Sequence, residues 1–176
     1  MKIETIAIHA GNHTDESTKA VIQPIVMSTT FERAADGNYP SGYIYSRSAN
    51  PNRTQLENVL AKLENGADAA AFSSGNAAGM TVFQSLRPGT HIIGPDDMYH
   101  GLRNQVKNLF AGILEFDFID VNDDTVLQNH IKPNTGLIWL ETPTNPLLKV
   151  SDIRKVVAIA GQHNIKVGVD TRFARP

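Results

Sequence analysis

The sequence predicts an α/β fold: a three-layer domain with a mainly parallel sheet, helices on both faces, and an extended N-terminal arm before it. Three observations carry this. After Asn50, short apolar runs such as Leu137–Leu140 alternate with amphipathic segments; strands buried on both faces read as continuous apolar runs, and crossover helices cover them. Gly and Pro punctuate the boundaries, as at Gly66, Pro88-Gly89 and Pro133. Residues 1–50, by contrast, lack clear periodicity and are interrupted by Pro24, Gly37, Pro40 and Gly42. A stretch of that length is more often functional, or packed against a partner, than idle. The domain division expected is an arm over residues 1–50 and an α/β domain over 51–176.

The elements follow in order. A short helical turn is expected near Thr5–Ala10. Asn50 is a good N-cap and Pro51 suits the first helical position. Leu56, Val59, Leu60 and Leu63 then recur at helical spacing, and Gly66 ends the helix. Ala69–Phe72 reads as a strand and Gly75–Leu86 as a helix. His91–Gly94 is strand-like. Gly101–Ala111 is helical, with Leu102, Val106, Leu109 and Phe110 on one face. Ile113–Ile119 is a strand, Asp123–Ile131 a helix, and Leu137–Leu140 a strand. Asp152–His163 is a helix capped by Ser151, and Lys166–Val169 is the last strand.

Composition narrows the classes. The 176 residues suit one sizeable core. Apolar residues make up 41% and charged residues 19%, which speaks against disorder. Net charge is -2 without a basic block, so no nucleic-acid face is expected. The absence of cysteine excludes disulfides and thiolate chemistry. The N-terminus is too polar for a signal peptide, and no apolar run reaches bilayer length. A cytoplasmic protein without membrane contact is expected. His9 and His13 share an i,i+4 spacing, but Gly11-Asn12 lies between them; the six histidines form no metal constellation.

In a parallel α/β sheet, ligands bind beyond the carboxyl ends of the strands. Four polar clusters follow predicted strands: Ser73-Ser74-Gly75-Asn76, Asp96-Asp97-Met98-Tyr99, Glu141-Thr142-Pro143-Thr144-Asn145, and Asp170-Thr171-Arg172. The first opens a helix whose free N–H groups favour an anion; alone, it reads first as a cap and turn. Tyr99 offers a flat face to a heteroaromatic ring, or is a partly buried loop tyrosine. Two prolines fix the loop bearing Glu141 and Asn145, a rigidity that ordinary loops share. Asp170, at the end of an apolar strand, needs a cation: a pyridinium nitrogen, or Arg172. In the arm, Arg47 can grip a phosphate bidentately or simply be solvated.

Taken together and in order, these residues resemble the Cys/Met-metabolism family of pyridoxal-phosphate enzymes, which includes cystathionine γ-synthase, cystathionine γ-lyase and methionine γ-lyase. The resemblance runs through Ala7-Ile8-His9-Ala10-Gly11, Pro24-Ile25, Ser28-Thr29-Thr30-Phe31, Tyr45-Ser46-Arg47, Asn50-Pro51, and Arg53 with Leu56-Glu57. It continues through Ser73-Ser74-Gly75, Asp96-Asp97 with Tyr99, Glu141-Thr142-Pro143-Thr144-Asn145-Pro146, and Val169-Asp170 with Phe173 and Pro176. It implies an incomplete large domain of the pyridoxal-phosphate-dependent transferase type and pyridoxal 5'-phosphate as cofactor. Ser74, Gly75 and Asn76 then hold the phosphate, and Tyr45 and Arg47 reach the phosphate of a partner subunit. Tyr99 stacks on the ring and is the catalytic candidate, Asn145 contacts the ring hydroxyl region, and Asp170 pairs with the ring nitrogen. Glu141 and Asn145 are the substrate-side candidates.

The departures are specific. Asn76 replaces the family's usual methionine, and His100 a common glycine. The last motif usually reads Asp-Asn-Thr-Phe-x-Thr-Pro; here Thr171, Arg172 and Arg175 interrupt it, and Arg172 sets a long cation beside Asp170. None of the eight lysines lies in the Ser-x-Thr-Lys setting of the family's Schiff-base lysine. The resemblance therefore implies trans-sulfuration chemistry, γ-elimination or γ-replacement on sulfur amino acids or activated homoserine. It belongs to methionine/cysteine metabolism and amino-acid biosynthesis and is carried out by a homotetramer, a dimer of dimers. This chain is expected to stop short of the lysine and to be inactive alone. The alternative is a non-catalytic subunit that lends its arm to a full-length partner. A nucleotide-binding domain would need Gly-x-Gly-x-x-Gly, which Ser73–Gly79 does not supply.

Overall fold

The computed structural model describes residues 2–172. Two compact units divide at Ala71/Phe72. The helix beginning at Pro51 falls in the first, so this division lies later than Asn50.

In the first unit, α1 (Ile3–His9) packs on α2 (Pro51–Leu63). The close approach depends on Gly11, at φ +76°, where a Cβ would stand 2.7 Å from Val59 Cγ2. The Asn50 side chain accepts the Asn52 N–H, with Pro51 in the first turn, as capping chemistry requires. The helix ends through Asn65 rather than Gly66. Asn65 takes the left-handed conformation (φ 52°), its N–H reaches Lys62 O, and the Gly66 N–H returns to Ala61 O at 2.8 Å. The segment before α2 is tied to it by side chains. Asn52 Oδ1 accepts the Val26 N–H, and Asn52 Nδ2 donates to Pro24 O. Arg53 donates to the carbonyls of Ser46, Arg47 and Ser48. No residue among 2–71 is fully buried.

The second unit contains α3 (Gly75–Gln84), β1 (His91–Pro95), α4 (His100–Leu109), β2 (Glu115–Ile119), α5 (Asp124–Asn129), β3 (Thr135–Glu141), α6 (Ile153–Gln162) and β4 (Lys166–Asp170). The strands form one parallel sheet in the order β2-β1-β3-β4. Alternate strand residues point to opposite faces, and this splits the core in two. Ile92, Leu137 and Trp139 pack with Phe83 of α3 and Leu102 and Val106 of α4. Ile93, Ile138 and Leu140 pack with Leu127 of α5 and Val156 and Ile159 of α6. The predicted three layers are therefore present. Phe83 anchors the first layer, edge-on to Phe110, Phe116 and Trp139 at 6.3, 5.8 and 5.0 Å; each such pair adds about 0.5–1.5 kcal/mol beyond burial.

Two further local expectations are corrected. Residues 69–72 form no strand; the Ala71 N–H donates to Glu57 Oε1 at 2.9 Å, a side-chain acceptor in place of a ladder partner. The cap of α6 is Asp152, whose side chain accepts the Lys155 N–H, while Ser151 is buried and offers its N–H to Thr142 Oγ1. No described helix is long and apolar enough to cross a membrane.

Candidate functional site

The strand order fixes where a ligand belongs. From β1 the chain moves outward to β2, then returns past β1 to β3 and β4. The loop after β1 enters α4 on one face, and the loop after β3 leads to α6 on the other. The two loops part above the β1/β3 boundary, and ligands of open α/β sheets bind in such a crevice. A cavity of about 230 Å³ lies where these loops meet the end of β4, lined by Tyr99, Glu141, Pro143, Asn145, Asp170 and Arg172.

Glu141 organises the cavity from beneath. It ends β3, is 3% exposed, and stands in register with Asp170 at the end of β4. Its Oε2 accepts the Tyr99 N–H at 2.9 Å, and its Oε1 accepts the Asn145 N–H at 2.8 Å. One carboxylate thus fixes the loops after β1 and β3 together. Burial raises its pKa, and the two N–H donors pull the other way. Asp97 repeats the link: its Oδ2 accepts the Thr144 hydroxyl at 2.5 Å. Lys149 Nζ reaches Asp96 Oδ1 at 3.2 Å. The Thr142 N–H donates to Asp170 O, joining β4 to the same frame. Both proline bonds of the loop, Thr142–Pro143 and Asn145–Pro146, are cis.

Tyr99 is the residue before α4, and its ring lies close over Gly101, where a Cβ would be 2.6 Å from Tyr99 Cε1. Arg172 Cζ sits 5.4 Å from the centre of the same ring. The guanidinium also pairs with Asp170 through two bonds, Nε to Oδ1 at 2.9 Å and Nη2 to Oδ2 at 2.5 Å. The Asp170 side chain is 8% exposed and that of Arg172 39%. Arg172 Nη1 reaches Asn76 Oδ1 at 3.5 Å. A Cβ on Gly75 would collide with the Arg172 side chain, standing 2.7 Å from Nη1. Gly75 opens α3, whose cap is Ser74, accepting the Ala77 N–H at 3.1 Å. The first N–H groups of a helix have no acceptor within it and favour an anion.

Ser74, Gly75, Asn76, Tyr99, Glu141, Asn145 and Asp170 are thus gathered at one edge of the sheet, with Arg172 among them. Tyr45 and Arg47 belong to the first unit, where Arg47 Cζ lies 5.1 Å from the Tyr45 ring centre. Phe173, Arg175 and Pro176 fall outside the described residues. Among the described residues, none that lines the cavity is a lysine. Sequence reasoning noted Asp97 and Thr144 only as members of clusters. Their pairing spans 47 residues and needs the strand order, which periodicity does not supply.

The donor set fits a pyridoxal group. A planar cation, here the Arg172 guanidinium, lies between an aromatic face and a buried carboxylate beside an open helix N-terminus. A protonated heteroaromatic ring carrying a phosphate asks for the same three partners.

Comparison with known proteins agrees. A "Probable cystathionine gamma-synthase" of Herpetosiphon aurantiacus is 44% identical over 98% of this chain and 54% of its own length. A cystathionine beta-lyase of Coxiella burnetii is 40% identical over 99% of the chain and 45% of its own length. The crystal structure of cystathionine gamma-lyase from Lactobacillus plantarum, complexed with L-serine, superposes with a TM-score of 0.90. It is 39% identical, covering 100% of this chain and 46% of that one. The chain spans about half the length of the curated relatives it matches. Residues 4–176 match the family described as Cys/Met metabolism PLP-dependent enzyme. On this match and these identities, the chain belongs to the Cys/Met metabolism family of pyridoxal-phosphate-dependent enzymes.

Proposed function

We propose that the second unit seats pyridoxal 5'-phosphate, and that the protein serves trans-sulfuration: γ-elimination or γ-replacement on a sulfur amino acid or an activated homoserine. The observation that carries this is the planar cation held between Tyr99 and Asp170. When bound, the cofactor supplies an electron sink for charge developed at the substrate carbon. The chain's own residues do the rest. Ser74, Gly75 and Asn76 receive the phosphate at the start of α3. Tyr99 covers one ring face and is the proton-transferring candidate. Asp170 keeps the ring nitrogen protonated. Asn145 faces the ring hydroxyl region and, with Glu141, the substrate amino acid; Glu141 acts largely by holding both loops in place.

The reading extends to a cytoplasmic homotetramer in which Tyr45 and Arg47 serve a neighbour's phosphate. Support comes from the first unit: Val21, Ile22, Ile25 and Met27 are 75–85% exposed, apolar surface of a kind that marks protein contact.

Pyridoxine 5'-phosphate tests the seat, because it lacks the aldehyde that reacts with stray lysines. Calorimetry should show one saturable site per chain, competed by excess inorganic phosphate. Gly75→Val, whose side chain projects into the seat, should abolish it. Unchanged affinity in Gly75→Val would place the ligand elsewhere.

A further inference from the structure

We propose that Arg172 is a built-in occupant of the ring seat: its guanidinium holds the place a protonated pyridine ring takes, and the cofactor binds only when this side chain swings out. The inference rests on the cofactor reading above and goes beyond it to the control of loading.

Four contacts define the occupancy. Arg172 lies over the Tyr99 face at 5.4 Å, makes two bonds to the Asp170 carboxylate, reaches Asn76, and packs where a Cβ on Gly75 would stand. These are the neighbours on which the cofactor reading depends. Guanidinium and pyridinium share the decisive features: both are planar, cationic, and donate N–H in their own molecular plane. Among the described residues lining the cavity, Arg172 is also the single cation. Two planar cations cannot stack on one tyrosine face and pair with one carboxylate at the same time, so binding is competitive. The apparent affinity is reduced by the fraction of molecules in which the seat is open. Arg172 is 39% exposed and attached two residues beyond the end of β4, so it can leave without disturbing the sheet. Solvent screening weakens a pair that open; the expected penalty on ligand affinity is roughly tenfold rather than several hundredfold.

The test compares the wild-type chain with Arg172→Thr, using pyridoxine 5'-phosphate as probe. Arg172→Thr should bind roughly tenfold more tightly. In that background Asp170→Asn should weaken binding clearly, whereas in the wild-type chain it should change little, because there it removes ligand partner and competitor together. On the unmutated protein, the Arg172 Nε–H resonance should move from a ring-shifted position to that of a solvated arginine as the probe saturates. This reading does not depend on any variant folding. Equal affinity in wild type and Arg172→Thr, or an unmoved resonance at saturation, would overturn the occupancy. Weaker binding by Arg172→Thr would also overturn it and make Arg172 a phosphate ligand. Absence of probe binding to both chains would sink the cofactor reading itself.

Discussion

Glu141 shows how much one side chain can do by being buried with both oxygens engaged. It accepts from Tyr99 on one side and Asn145 on the other. Gln in its place turns one acceptor into a donor that faces a backbone N–H. Glu141→Gln should therefore cost about 1–3 kcal/mol of stability in urea titrations, and it should weaken pyridoxine 5'-phosphate binding although neither loop loses a side chain. His91 makes a second residue-scale prediction. It is fully buried, with Nδ1 2.7 Å from Thr135 Oγ1 and Nε2 3.2 Å from Asp117. Burial lowers its pKa, the Lys132 charge adds to this, and Asp117 and Glu115 oppose it. The unfolded chain, with a histidine pKa of about 6.5, takes up the proton first. His91 is therefore harmless to stability above about pH 6.5 and destabilising as pH falls below it, down to the folded pKa. Melting temperature should drop as pH falls below about 6.5, and His91→Gln should flatten that slope.

At the scale of elements, the cap of α6 separates what the sequence made legible from what it did not. Ser151 and Asp152 are both good caps, and adjacent positions cannot be ranked by residue type. The structure chooses Asp152 because Ser151 is drawn under the loop, its N–H bound to Thr142. Asp152→Ala should cost about 0.5–2 kcal/mol, and Ser151→Ala, whose hydroxyl has no protein partner, markedly less; thermal melts of the pair would show the order. The two central strands, β1 and β3, were legible as apolar runs because both faces of each are covered; the edge strands β2 and β4 are less buried and carry charged residues at their ends or within them. Residues 69–72 are equally apolar, yet Ala70 and Phe72 are exposed and the Ala71 N–H meets Glu57 instead of a strand. A short apolar run alone does not say that a segment is paired in a sheet or even buried.

At the scale of the molecule, the clusters after β1, β3 and β4 were legible because a parallel sheet puts strand ends on one edge. Strand order was not, and with it went the Asp97–Thr144 link and the β1/β3 crevice. Arg172 was visible as a cation beside Asp170; that it also covers Tyr99 and Gly75 required the fold. No lysine lines the cavity among the described residues. Borohydride reduction of the chain mixed with pyridoxal 5'-phosphate should accordingly leave no single lysine stoichiometrically modified. A unique, saturating adduct at Lys149 or any other lysine would show that these residues carry the covalent chemistry as well as the seat.

One planar ring is expected between Tyr99 and Asp170, with its phosphate at the start of α3. A crystal structure of the chain soaked with pyridoxine 5'-phosphate tests it most directly. The ring should be stacked on Tyr99, its nitrogen within hydrogen-bond distance of Asp170, its phosphate at the N–H groups of Gly75 and Asn76, and Arg172 turned outward. A ring bound elsewhere, or one bound there while Arg172 still pairs with Asp170, would contradict it.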